Sequence, residues 1–164
     1  MKRSERGFSL IEVLVAAAIL LVIALGLVPL YSRSIRSNVE GFDYTHVSNS
    51  AKSRAEEYRQ LPFSSPALTV PPGSTELEVP DFYSSLDHRW MDEAEWADAE
   101  AGDVALFTRT TTVRQFRTGD LTTPIDGGEP AHLKEITVAV EGSREAGHVF
   151  GAGKVIAVRV FKSQ

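Results

Sequence analysis

The sequence has no cysteine. Without thiols it has no disulfide staple, no thiol nucleophile and no thiolate metal site, so any extracytoplasmic domain must be held by burial and strand pairing. Positive charge is also scarce: 17 Lys and Arg face 22 Asp and Glu, for a net −5. Residues 1–7 hold Lys2, Arg3 and Arg6 against Glu5, so everything after them stands at −7. Nucleic-acid binders recruit Lys and Arg clusters to phosphates, and a chain this acidic does not suggest one. No nucleophile elbow, phosphate loop, zinc spacing or recognisable acid pair is present, and His46, His88, His132 and His148 stand apart from one another. The expectation is a protein with no catalytic residues, no cofactor and no metal, and not an enzyme.

Apolar residues, by contrast, are concentrated at one end. Phe8 to Leu30 is apolar except for Ser9 and Glu12. These residues are numerous enough to cross a bilayer core of about 30 Å. Lys2, Arg3 and Arg6 precede the run and should hold the N-terminus in the cytoplasm, which places the C-terminus across the membrane. An ordinary secretory signal ends its apolar core with a small-residue cleavage site, and none follows this run. Glu12 needs a reason, because an ionisable group in a spanning segment costs a few kcal/mol on insertion scales. Gly26 and Pro29 lie late in the span. Pro29 removes a backbone hydrogen bond and Gly26 adds freedom, so the helix should weaken from Leu25 to Pro29.

Gly7-Phe8-Ser9-Leu10-Ile11-Glu12-Val13-Leu14-Val15-Ala16 closely resembles the class III signal of type IV prepilins and type II secretion pseudopilins. The resemblance implies that a prepilin peptidase cuts between Gly7 and Phe8 on the cytoplasmic face and that Phe8 is N-methylated. It implies that Glu12, fifth in the mature chain, pairs with the N-terminal amine of an adjacent subunit during assembly. Opposite charges in low dielectric attract strongly, and neither is stable there alone. Gly26 and Pro29 become, on this resemblance, a segment that can unwind or stretch in a filament.

Beyond the span, Ile35, Val39 and Phe42, then Ala51, Ala55, Tyr58 and Leu61, continue one apolar stripe up to Pro62. Gly41 is a candidate bend, and Arg33, Arg36 and Glu40 sit off the stripe as a solvated face. A single helix over 8–61 would measure roughly 80 Å. Residues 62–80 hold five prolines and read as a loop, with Ser74–Val79 a short edge strand. Residues 81–103 carry eight acids against Arg89. Leu86, Trp90, Ala94, Ala97 and Ala101 there fit the stripe of a short helix. The acids match no calcium-loop spacing and read as a solvated face. Val104–Phe116, Leu133–Val140 and Lys154–Lys162 read as strands, separated by turns at Asp126–Pro130 and Gly142–Gly153.

The expected fold is α+β, the type IV pilin fold: a long N-terminal helix on a C-terminal antiparallel sheet of three to four strands. Its expected divisions are a cleaved leader 1–7, a transmembrane assembly helix 8–30 and a periplasmic domain 31–164. Within that domain the helix runs to about 61, a variable acidic loop fills 62–103 and the sheet fills 104–164. Leu25–Leu30 and Ala51–Pro62, with Ala55-Glu56-Glu57-Tyr58-Arg59 closing the spine, look like PilV-type minor pilins and the related GspI-type minor pseudopilins, as does Leu133–Val140. That resemblance implies a minor pilin that primes pilus assembly in or near the filament tip. Its implied partners are the prepilin peptidase, other minor pilins, the major pilin, the inner-membrane assembly platform and the bilayer around 8–30. It implies an inner-membrane location before assembly and the cell-surface pilus afterwards. A minor pseudopilin of a type II secretion system is the alternative. A membrane-anchored periplasmic binding protein or enzyme is the alternative from another class.

Overall fold

The computed structural model describes residues 9–143 and 155–164. The element order is helix α1 (Leu10–Gln60), a 3-10 turn (Pro66–Leu68), strands β1 (Glu76–Ser84) and β2 (Trp90–Asp92), helix α2 (Glu93–Ala97), then β3 (Ala105–Phe116), β4 (Leu133–Gly142) and β5 (Val155–Ser163). Two compact units divide the chain, one running up to Gly41 and the other covering Phe42–Gln164.

In the second unit the strands form one antiparallel sheet in the order β2-β1-β3-β4-β5. Alternation decides which side of it is buried. The cross-strand rows Leu77–Val113–Ile136–Val160 and Val79–Thr111–Val138–Val158 share the inner face. Val113, Ile136, Val138 and Val140 form the core with Val47, Ala51, Ala55 and Tyr58 of α1. Those four helical residues recur at spacings of four, four and three, the period of one helix face. Ala51 and Ala55 have almost no side chain to hold the helix axis away from the strands. Leu68 and Val70 fill the end of the same core from the loop after the helix.

Helix α1 ends at Gln60 because Pro62 forces its predecessor out of the helical region. Its C-terminal end carries the partial negative charge of the helix dipole. Lys162 Nζ donates to the Arg59 carbonyl at 2.7 Å. On the neighbouring strand Lys134 is buried and donates to the carbonyls of Phe63 and Leu68 at 2.8 and 2.7 Å, under the Phe63 ring. Burial pushes the Lys134 ammonium below its ordinary pKa. These two lysines pin the helix exit and the following loop to the sheet.

The loop 70–74 meets the β3–β4 connection at Gly127, whose N–H donates to the Ser74 carbonyl at 2.9 Å. A Cβ on Gly127 would stand 2.0 Å from the Val70 carbonyl oxygen and 2.5 Å from that of Pro71. Only glycine fits that approach.

Several sequence expectations change. The sheet has five strands rather than three or four, and two of them lie in the segment read as a variable loop. Ser74–Val79 is not a short edge strand. It opens the nine-residue β1, which lies between β2 and β3 and continues through Pro80. The helical stripe over Leu86–Ala101 fails as well. Trp90 is in β2, and only Glu93–Ala97 is helical. The turn over Gly142–Gly153 lies largely outside the described residues. The stop before Pro62 and the three C-terminal strands stand where the pattern put them, to within two residues. Gly41 does not interrupt α1.

Candidate assembly helix and the surfaces around it

The described part of the unit up to Gly41 is dominated by an apolar surface that no other described residue covers. Leu10–Ile35 is 26 residues long and apolar enough to cross a membrane, and none of it is buried. At ~1.5 Å per residue it measures about 39 Å, which exceeds a bilayer core. Leu10, Ile11, Leu20, Val22, Leu25 and Leu30 are each at least 65% exposed, a surface no folded chain leaves in water.

Glu12 lies in the first turn of this helix, and its N–H donates to the Ser9 carbonyl at 2.9 Å. A carboxylate there complements the positive end of the helix dipole. Its side chain is exposed, with no partner among the described residues. Gly7 and Phe8, the expected cleavage and methylation residues, lie outside the described residues. Gly26 and Pro29 sit in continuous α-helix rather than at a break. Pro29 has no N–H, so the Leu25 carbonyl lacks its usual donor. Ser32 Oγ donates to the Val28 carbonyl at 3.0 Å. A Cβ at Gly26 would touch nothing within 4 Å, so packing within the chain does not require glycine there.

The acid-rich segment 81–103 separates into distinct roles. Asp81, read from sequence as part of a solvated face, is 4% exposed and sits inside the domain. It accepts from Arg109 Nε at 3.0 Å and Nη2 at 2.8 Å, and pairs with Arg54 at 3.2 Å. Arg109 also donates to Ser50 Oγ at 3.2 Å and lies 4.3 Å above the Trp90 ring. This cluster ties α1, β1, β2 and β3 together in the layer between helix and sheet. Burial drives the Arg109 pKa below its ordinary value, against the pull of Asp81. For Arg54 burial acts in the same lowering sense, but Glu57 and Asp81 outweigh it and the net shift is upward.

Asp103 gathers the hydroxyls of Ser84 and Ser85 and the N–H groups of Ser85 and Leu86, at 2.6 to 3.2 Å. Desolvation opposes its ionisation, yet these bonds hold its carboxyl below the usual range. Asp92 caps α2 in a reciprocal box with Glu95. Asp87 and Glu95 share Arg89, at 3.7 and 3.1 Å. A cleft of about 340 Å³ lies among these residues. Among the described residues, no group of three or more His, Cys, Asp and Glu is placed to hold a metal ion.

His46 faces Tyr83 and Phe107, with ring centroids 5.4 and 6.4 Å away. His132 and His88 are exposed, and His148 lies outside the described residues. Sequence reasoning missed the Arg54–Asp81–Arg109 cluster entirely. The available signal was the alternation of β3, in which Arg109 shares parity with Phe107, Thr111 and Val113.

Comparison with known proteins gives one match. The family profile described as the Prokaryotic N-terminal methylation motif covers residues 2–28. No curated protein and no solved structure matches the chain significantly. The motif is the class III signal that directs prepilin-peptidase processing, and it overlaps the apolar helix. Later in the chain comes an antiparallel five-stranded sheet, an order of elements consistent with the type IV pilin fold. The motif and the layout together support a type IV pilin-like family.

Proposed function

We propose that the chain is a minor pilin of a type IV pilus, a structural subunit rather than an enzyme. With other minor pilins and the major pilin it primes assembly on the inner-membrane platform, and it enters the filament at or near the tip. The observation that carries this reading is Glu12. A carboxylate stands exposed in the first turn of an apolar helix, inside the methylation motif. In lipid, such a carboxylate is stable only with a counter-charge, and a neighbouring subunit's freed N-terminal amine supplies one. The peptidase cut falls between Gly7 and Phe8, and Phe8 is N-methylated. Gly26 and Pro29 supply the give in the span. Before assembly the chain crosses the inner membrane once with its sheet domain in the periplasm.

The test replaces Glu12 by Ala in the organism's own pilus system. Membrane insertion and leader cleavage should be unchanged, while surface filaments and co-purification with other minor pilins fall. If filaments and complexes persist at wild-type yield, Glu12 is not an assembly residue. If filaments persist but export of a secreted protein fails, the chain is a secretion pseudopilin.

A further inference from the structure

The spanning helix carries a second charged residue, Arg33, near its far end. Between Glu12 and Arg33 the sequence holds no Asp, Glu, Lys, Arg or His. Both residues are exposed and neither has a partner among the described residues. They are 21 positions apart on continuous helix, an axial separation of about 31 Å at ~1.5 Å per residue. That separation is close to the thickness of a bilayer core, about 30 Å. A carboxylate at one membrane face and a guanidinium at the other cannot meet within one chain. They can meet between two chains.

We propose that Arg33 receives the first-turn carboxylate of a neighbouring pilin-type helix once that neighbour has moved outward by about one span. This rests on the minor-pilin reading and gives the assembly helix a second docking point. Consider two parallel helices that start level in the membrane. When one is drawn outward by about 31 Å, its position-12 carboxylate comes level with Arg33 of the helix still anchored. During that passage the carboxylate leaves one counter-charge and needs another, and Arg33 stands at the exit. Arginine suits the task, because its planar fork takes a carboxylate through two parallel hydrogen bonds, whereas lysine offers a point charge. The register depends on the span being helical between the two residues, as it is here.

The test uses the full chain in cells with a working assembly system. A photo-crosslinking amino acid replaces Ser34, which is exposed and adjacent to Arg33. A second strain carries it at Val13. Adducts are identified by mass spectrometry. The Ser34 probe should capture the first-turn peptide of another class III-signal helix, in this chain residues 8–13. Arg33→Gln should cut that adduct about tenfold and Arg33→Lys by a smaller factor, with chain levels unchanged. If the Val13 probe captures pilin-type partners while the Ser34 probe reaches only lipid or later segments, the Arg33 contact is overturned and the minor-pilin reading stands. The contact is also overturned if Arg33→Gln leaves the adduct at full yield. If neither probe captures a pilin-type helix, both readings fall.

Discussion

Asp81→Asn removes the charge that two guanidinium groups share inside the domain. The Asp81 side chain is 5% exposed, Arg109 9% and Arg54 18%. Arg54 keeps an alternative, because its Nη1 already lies 3.0 Å from Glu57. Among the described residues, Arg109 keeps only Ser50 Oγ and the Trp90 face. It is therefore the group left as an uncompensated buried charge. Breaking a buried pair in this way costs about 3–5 kcal/mol. Against a typical domain stability of ~5–15 kcal/mol, that is a large share. With about 4 °C of melting temperature per kcal/mol for a domain of this size, the midpoint should drop by roughly 12–20 °C. Trp90 under Arg109 supplies the optical probe, with Trp96→Phe as the background that isolates it. The assay is urea and thermal unfolding of the detergent-solubilised chain. Glu76→Gln, which breaks a half-exposed pair with Arg114, should cost about 1 kcal/mol or less. The double change Asp81→Leu with Arg109→Met should recover most of the loss, because a buried ion pair is replaceable by apolar volume. An Asp81→Asn unfolding free energy within about 1 kcal/mol of wild type would contradict this role for Asp81.

Two further perturbations probe the loops. Gly127→Ala places a methyl against the Val70 and Pro71 carbonyls, so it should cost about 3 kcal/mol or more and expose the 70–74 loop to hydrogen exchange. Gly128→Ala, whose Cβ would meet only side-chain atoms, Asp126 Oδ1 at 3.1 Å and Pro72 Cβ at 3.8 Å, should stay within about 1 kcal/mol. Asp120 is held at a pKa of about 2 by Thr122 and Thr123, so the unfolded chain binds its proton more readily than the folded one. That contribution is complete above the unfolded value near 3.8 and is lost as pH falls towards 2. The urea midpoints of wild type and Asp120→Asn should therefore differ at pH 6, and the gap should narrow as pH falls from about 3.8 towards 2. A gap of the same size at pH 6 and pH 2 would contradict this.

The sequence spoke most clearly where one kind of residue repeats. The apolar run, the acidic residue in its first turn and the stop before Pro62 follow from composition and backbone chemistry that no tertiary contact overrides. Strands β3, β4 and β5 alternate, and β-branched residues mark them. The difficulty lay in residues 76–92. Pro80 and acids at positions 76, 78 and 81 hide a strand that sits between two others. Asp81 looked like one acid among eight because its partners, Arg54 and Arg109, lie 27 and 28 residues away. Charge pairing at that separation is set by sheet register, which local patterns do not carry. Lys134 was hidden for the same reason, since its acceptors are backbone carbonyls 66 and 71 positions earlier. The apolar helix needed no such long-range information, because none of Leu10–Ile35 is buried.

Processing at the N-terminus is the step that a class III signal most directly requires. Intact-mass and N-terminal peptide mass spectrometry of the chain from cells that have prepilin peptidase tests it directly. The account predicts a mature chain that begins at Phe8 with a methylated amine, and the full-length form in cells lacking the peptidase. A wild-type chain that still begins at Met1, or one cut beyond the apolar helix, would contradict it.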